Sequence, residues 1–264
     1  MSFYDRALET LDQGEIRTIQ EDKLLKLMRV LQENPYYRQK LDTWGTNPAD
    51  VKSLSDLESL PFTTKSELVS EQKEHPPFGR LTTYPRDQYR RLHWTSGTSG
   101  QPLLWLDTHE DWETFIRCWQ YVYRGVGVSK DDVVFLAFSF GPHVSHWSAM
   151  EAAARTGALC LSGGGQTSLE RLQSIENYRC TVVLSTPTYA LHLAEVAKDS
   201  GIDLPSSSVR TTIHAGEPGA SVPNVKKRIE DAWGARCFDH AGATEVGAWG
   251  YDCLERDEDL HLNE

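Results

Sequence analysis

The sequence predicts an α/β fold: a mostly parallel sheet with helices on both faces, preceded by a helical segment at the amino end. Three observations carry that expectation. From about residue 131 onward, short apolar runs alternate with longer amphipathic stretches, the pattern of βαβ units. Turns rich in Gly, Ser and Thr sit where the apolar runs stop. Composition is that of an ordinary folded chain, since 39% of the 264 residues are hydrophobic and 25% charged. Disordered chains are poorer in apolar residues and richer in charge.

The first 60 residues read as helical and polar. Leu24, Leu25, Leu27, Met28 and Leu31 fall at helical spacing, with Lys23, Lys26, Arg29 and Glu33 on the outer face. That helix is expected to stop near Asn34-Pro35, because proline disfavours helical backbone in the residue before it. A loop-rich stretch runs through Pro61, Pro76-Pro77, Gly79 and Pro85. His93-Trp94 and the apolar residues 103–106 flank a Ser/Thr/Gly turn as the two strands of a hairpin. Trp112, Phe115, Trp119 and Tyr123 recur at i, i+3, i+7 and i+11 of one helix, spacing that suits core packing or a subunit interface. Beyond them, residues 133–138, 158–161, 180–185, 209–214 and 235–239 read as buried strands. Residues 147–156, 168–177, 189–200 and 222–233 read as the helices between them. The expected division is a helical, loop-rich segment over 1–90 packed on an α/β core over 91–264.

Charge and cysteine usage narrow the partners. Lys and Arg number 27 against 38 Asp and Glu, a net charge of −11, which repels phosphate backbones and anionic lipid. No nucleic-acid partner and no membrane association are expected. No apolar run approaches the roughly 18 residues needed to cross a bilayer. Met1-Ser2-Phe3-Tyr4-Asp5 lacks a basic-then-apolar leader. Cys118, Cys160, Cys180, Cys237 and Cys253 are odd in number and form no C-x-x-C pair, as in reduced, cytoplasmic proteins.

Three segments carry candidate chemistry. Thr95-Ser96-Gly97-Thr98-Ser99-Gly100-Gln101-Pro102 combines glycines, which allow tight turns, with four hydroxyl donors. Such a loop can nest a polyphosphate in backbone N–H groups, or simply be a flexible surface loop. It is not a Walker loop, for Leu103 follows Pro102 where a Lys would be needed. His214-Ala215-Gly216-Glu217-Pro218-Gly219 follows one strand, and alone is an ordinary turn. Asp239-His240-Ala241-Gly242-Ala243-Thr244-Glu245 follows the next. Thr244 can meet a phosphate oxygen and Glu245 a Mg²⁺ ion, which prefers oxygen donors. The same pair also fits an N-cap with Glu in the first helical turn. Strand ends are where α/β sheets place ligands, so segments gathered there can share one.

In this order the segments resemble the adenylate-forming superfamily of acyl- and aryl-CoA synthetases, most closely its phenylacetate–CoA ligase branch. The 95–102 loop looks like the family's phosphate loop, Gly216-Glu217-Pro218 like its adenine-side turn, and Gly242-Ala243-Thr244-Glu245 like its G-x-T-E motif. Ser185-Thr186-Pro187-Thr188-Tyr189-Ala190-Leu191 and Leu60-Pro61-Phe62-Thr63-Thr64-Lys65 resemble further stretches of the branch. The likeness covers residues 20–264 and implies the large N-terminal domain of an adenylate-forming enzyme. It implies a cytoplasmic ligase that joins ATP, with Mg²⁺, to an aryl or other small carboxylic acid as an acyl-adenylate, followed by transfer to coenzyme A. An amine or carrier-protein acceptor, or a nucleotide-binding protein that has lost catalysis, are the alternatives. The resemblance assigns Thr95, Ser96, Gly97, Thr98, Ser99 and Gly100 to the β- and γ-phosphates. Thr244 goes to the α-phosphate and Glu245 to Mg²⁺, the catalytic pair. Gly216, Glu217, Pro218, Asp239 and His240 would border the adenine. Phe140, Gly141, His143, Ala215 and Gly242 would line the acid pocket. A homodimer is a further implication.

Departures from the family pattern qualify this. Ala241 stands where the family often has Tyr. His143 is expected to make the acid pocket more polar than one for phenylacetate, and His143 with His146 at i and i+3 is either polar lining or a sparse metal pair. Some members of the branch carry Cys and His after the G-x-T-E motif, so Cys253 and His261 suggest part of a structural Zn site that would need further ligands; residues 251–259 are otherwise an acidic run. The family's later ribose-gripping Asp, hinge and Lys-bearing small domain have no counterpart in these residues, so the likeness implies an N-terminal portion with weak ATP binding and little thioester formation.

Overall fold

The computed structural model describes residues 3–263 apart from Ser96, Thr98 and Ser99, and describes only the backbone of Arg256, Asp257, Glu258 and Asp259. The chain divides into two compact units. One holds residues 5–111; the other holds residues 112–263 with Phe3 and Tyr4.

The first unit opens with α1 (Arg6–Glu9) and α2 (Gln13–Glu33), the latter started by a capping box between Asp12 and Glu15. Leu24 and Met28 are its buried residues, and they join Leu41 and Val51 in a small core. Pro35 does not end helical order here. It begins α3 (Pro35–Trp44), with Asn34 closing α2 and capping α3 through its side chain on the Tyr37 N–H. Proline suits that first helical position, where its missing N–H breaks no bond and its φ is already helical. Helix α4 (Lys65–Glu74) follows, then β1 (Tyr89–Trp94) and β2 (Leu104–Thr108), an antiparallel hairpin. Gln72 of α4 bonds both the N–H and the C=O of Leu104, at 2.9 and 2.7 Å, and so anchors the second hairpin strand.

The second unit takes in nearly all of α5 (His109–Gly125) and then alternates strictly. The order is β3 (Val133–Leu136), α6 (Val144–Thr156), β4 (Leu159–Ser162), α7 (Ser168–Asn177), β5 (Val182–Ser185), α8 (Pro187–Asp199), β6 (Thr211–His214), α9 (Pro223–Trp233) and β7 (Arg236–Ala243). Two further strands close it, β8 (Gly247–Cys253) and β9 (Arg256–Leu262). Among the described residues they form one seven-stranded sheet in the order β4-β3-β5-β6-β7-β8-β9. Pairing is parallel from β4 to β7 and antiparallel from β7 to β9. The α/β class, the mainly parallel sheet and the helices on both faces are as the sequence predicts.

Alternation along each strand explains the two faces. Val134, Leu136, Val182, Leu184, Ile213 and Phe238 pack with α5 and α6 in one core. Their neighbours Phe135, Ala137, Val183 and Cys237 pack with α7, α8 and α9 in the other. Trp112, Trp119 and Tyr123 are buried in the first core, which decides between core and interface for that stripe. Among the described residues, no helix is long and apolar enough to cross a membrane.

The last residue of α5 carries a close approach. A Cβ on Gly125 would lie 2.7 Å from Cε2 of Tyr251 on β8, and the Gly125 carbonyl accepts the Leu254 N–H at 3.0 Å. Helix propensity alone predicts that Gly125→Ala stabilises by up to about 1 kcal/mol. Packing predicts the opposite sign, a loss of about 1–3 kcal/mol from overfilling. Urea denaturation distinguishes them; a net gain would contradict the contact.

Candidate functional site

Strands β3, β5, β6 and β7 run the same way, so the segments that follow them leave from one edge of the sheet. Register sets their levels: Ser185 pairs with His214, and His214 with Asp239. Crevices at this edge are where ligands bind to open α/β sheets.

The segment after β6 is fastened to the helix after β5. Glu217 Oε1 accepts the Thr188 N–H at 2.8 Å and also the Thr188 hydroxyl. Thr188 lies in the first turn of α8, which is capped by Thr186 and opened by Pro187, so a carboxylate meets the positive end of that helix. Burial works against ionisation, but the Thr188 hydrogen bonds win and hold the Glu217 carboxyl below its ordinary range. Gly216 has φ +93°, a left-handed conformation that favours glycine. Gly219 leaves no space for a side chain, since a Cβ there would sit 2.5 Å from Pro187 Cβ. Gly216 and Pro218 are exposed, Ala215 and Glu217 half-buried. His214 behind them is fully buried, with Nδ1 3.3 Å from the Ser185 hydroxyl and Nε2 without a partner.

The segment after β6's neighbour is a hairpin. β7 continues through Ala243, residues 244–246 turn, and β8 returns antiparallel. The helix N-cap reading of Thr244-Glu245 is therefore wrong: the turn delivers an antiparallel strand, and Gly247 at φ +78° completes it. Thr244 and Glu245 are half-buried and Gly242 is exposed. Asp239 is buried; that burial raises its carboxyl pKa, reinforced by nearby Asp252 and opposed by a Ser221 hydrogen bond. Its N–H donates to Asp252 Oδ2 at 2.8 Å, and Lys226 Nζ lies 3.4 Å from the same oxygen. His240 points into the core, its Nδ1 2.9 Å from the Gly250 carbonyl and its ring 4.3 Å from that of Trp119.

The segment after β3 holds Phe140, at φ +53°, then Gly141 and His143. His143 is the N-cap residue of α6 and makes no side-chain cap bond. Trp147 Nε1 donates to the Gly141 carbonyl at 2.9 Å and Phe140 packs edge-on to Trp147 at 5.0 Å. Buried Arg171 of α7 steadies the base of this loop, donating to Ala137 O at 3.1 Å and Gly163 O at 3.0 Å. His143 and His146 lie 5.5 Å apart edge-to-face, and His146 stacks on Phe138 at 4.1 Å.

The 95–100 turn belongs to the other unit, at the tip of the β1–β2 hairpin. There Thr95 exchanges backbone and side-chain bonds with Leu103, and Gly97 takes φ +67°. Ser96, Thr98 and Ser99 lie outside the described residues. Below that tip, burial and the neighbouring Asp111 push the Asp107 carboxyl up to about 7, with His93 Nε2 3.4 Å away. Cys253 and His261 do meet, Sγ to Nε2 at 3.0 Å across β8 and β9. Among the described residues no group of three or more His, Cys, Asp or Glu is placed to hold a metal. The sequence alone does not mark Arg171 or Asp252, nor the partner of Thr188; Arg171 reaches Ala137, Asp252 reaches Asp239 and Thr188 reaches Glu217, each 13 or more residues away.

The chain belongs to the AMP-binding enzyme family, whose pattern matches residues 9–263. It is 31% identical over 253 residues to phenylacetate-coenzyme A ligase of Escherichia coli K12, covering 94% of this chain and 56% of that protein. Identity to the Aromatoleum evansii phenylacetate-coenzyme A ligase is 30% over 252 residues, with the same coverage. The crystal structure of a 2-hydroxyisobutyryl-CoA ligase, in complex with 2-HIB-AMP and CoA, superposes with a TM-score of 0.90 at 29% identity, over 95% of this chain and 54% of that one. The chain thus spans a little over half the length of these relatives.

Glu217→Ala removes both Thr188 bonds and the helix-end charge, for an expected cost of about 1–2 kcal/mol in urea denaturation; no change would separate the turn's stability from that contact. A pH series tests the buried imidazoles. Burial pulls His146, His214 and His240 each from 6.5 down to about 4. The unfolded chain therefore takes up protons first, so their contribution is whole above pH 6.5 and is lost as pH falls from 6.5 toward 4. Stability that stays level between pH 7 and pH 5 would contradict their burial as neutral rings.

Proposed function

We propose that this edge of the sheet binds ATP and a small carboxylic acid and joins them as an acyl-adenylate, which in the whole protein transfers its acyl group to coenzyme A. The observation that carries the reading is the gathering of the 215–219, 239–246 and 137–143 segments at the ends of parallel strands, in a chain of the AMP-binding enzyme family. The local chemistry fits a nucleotide. Gly216 and Gly242 offer exposed backbone without side chains, and a Cβ on Gly242 would meet the Gly247 carbonyl at 2.9 Å. Bare backbone of this kind can lie against a flat base or a phosphate.

In this reading Gly216, Glu217 and Pro218 border the adenine, with Glu217 acting through Thr188 to fix the turn. Asp239 borders it by position, while His240 supports it from the core. Thr95, Ser96, Gly97, Thr98, Ser99 and Gly100 receive the β- and γ-phosphates and Thr244 the α-phosphate. Ala215, Gly242, Phe140, Gly141 and His143 line the acid's side. Glu245 and Thr244 are a carboxylate and a hydroxyl, an oxygen set that suits Mg²⁺. Bound there, the ion offsets negative charge on the phosphate oxygens. The substrate carboxylate attacks the α-phosphorus, the α–β phosphoanhydride bond breaks and pyrophosphate leaves with the bonding pair. The thiol of coenzyme A then displaces AMP. No side-chain nucleophile is needed, so the chain's task is to position reactants and neutralise charge. Cys253 and His261 alone are too few for Zn²⁺, which takes four ligands in structural sites; no metal role is assigned to them.

Calorimetry with ATP and Mg²⁺ checks the assignment. Glu245→Gln is expected to weaken ATP binding about 10-fold and to blunt its dependence on Mg²⁺, and Thr244→Val to weaken it several-fold. Equal affinity in both variants would remove this turn from the site.

A further inference from the structure

The aromatic cluster after β3 contains one polar atom that the protein itself does not satisfy. His146 Nδ1 is fully shielded from solvent and has no hydrogen-bond partner. The ring is held in place: it stacks on Phe138 with centroids 4.1 Å apart and planes 10° from parallel, and His143 and Phe140 lie 5.5 and 6.1 Å away. A buried polar atom left without a partner is destabilising. Phe140 adds backbone strain, since a non-glycine residue at φ +53° is disfavoured. Strain at Phe140, in the loop assigned to the acid, and unsatisfied polarity six residues on, in the first turn of α6, mark a segment shaped for something other than its own stability.

The ring's chemistry limits what would satisfy it. Burial, with His143 nearby, lowers the His146 pKa to about 4, so the imidazole is neutral at pH 7. A neutral ring nitrogen pairs with a hydroxyl, as donor or acceptor according to tautomer, and attracts a carboxylate only weakly. Its surroundings, Phe138, Phe140 and Trp147, are flat and apolar, which suits an aryl group.

We propose that His146 is a specificity-determining residue of the acid pocket, its Nδ1 hydrogen-bonding a ring hydroxyl, so that the preferred substrates are hydroxylated aryl carboxylic acids. This rests on the adenylate-forming reading above and moves the polar role from His143, which stands at the helix cap, to the stacked ring one turn on. A site that hydrogen-bonds a substrate hydroxyl discriminates against the analogue lacking it far better than an apolar pocket discriminates in the reverse sense.

The test uses two non-hydrolysable acyl-sulfamoyl-adenosine analogues of the adenylate, one carrying a hydroxyphenyl acyl group and one the matching phenyl group. Calorimetry on the wild-type chain is expected to give at least about 10-fold tighter binding of the hydroxy analogue. His146→Phe is expected to bring the ratio near one, and His146→Gln, which retains a hydrogen-bonding atom, to restore part of it. In wild-type protein labelled with ¹⁵N-histidine, the His146 Nδ1 resonance, assigned by its loss in H146Q, is expected to shift with the hydroxy analogue and not with the phenyl one. Equal wild-type affinities, a preference that survives H146F, or an unmoved Nδ1 resonance would each overturn the inference while leaving the nucleotide reading intact. Failure of both analogues and of ATP to bind would instead overturn that reading, and the inference with it.

Discussion

Parallel pairing of β3, β5, β6 and β7 is the constraint from which the rest follows. A parallel strand cannot be reached by a tight turn, so each return crosses the sheet through a helix, and every departure falls on the same edge. Burial on both faces fixes register, because a one-residue slip would exchange the residues facing α5 and α6 for those facing α7, α8 and α9. Once Ser185, His214 and Asp239 are level, the segments behind them emerge side by side. The switch to antiparallel pairing at β7 then puts a short hairpin turn, with Thr244 and Glu245, where a helix would otherwise begin.

Electrostatics at that edge are arranged in two layers. The inner layer is neutral: His214 and His240 are buried and uncharged at pH 7, held so by desolvation. The outer layer keeps its charge at Glu217, held ionised at a helix end, while buried Asp252 has Lys226 Nζ 3.4 Å from its Oδ2. Arg171 is the exception, a buried cation held by two carbonyls and lying over the Tyr189 ring at 5.0 Å. Together these groups fix loop backbones while leaving Gly216, Pro218 and Gly242 exposed. A chain with a net charge of −11 can hold a polyanion only where such local backbone and dipole effects outweigh the overall field.

Much of the sheet was legible because its strands are short, wholly apolar and bounded by turn residues, and each expected strand from 133 to 239 has its counterpart. Helices with hydroxyl caps, such as α7 after Thr167, were equally plain. The helix expected to stop near Asn34-Pro35 does stop there; that Pro35 also opens the next helix is not legible locally, since it depends on buried Asn34, bonded to Leu81 and Thr83. Strands β8 and β9 are not legible, since Gly and Trp interrupt the apolar run of β8 and acidic residues that of β9, the edge strand of the sheet. In the candidate site, the motif residues could be found from local text, but the Glu217–Thr188 and Asp239–Asp252 contacts could not. The first joins segments that touch only after the β5–α8–β6 crossover forms; the second needs the β7–β8 hairpin, whose strands the apolar pattern does not mark.

The central claim is that the loops at the carboxyl ends of β5, β6 and β7 form a nucleotide site. Hydrogen exchange of the chain with and without an acyl-sulfamoyl-adenosine tests it most directly, since protection reports which backbone the ligand orders. The account predicts slowed exchange confined largely to 137–146, 185–189, 214–219 and 239–247. Protection centred elsewhere, with those segments unaltered, would contradict it.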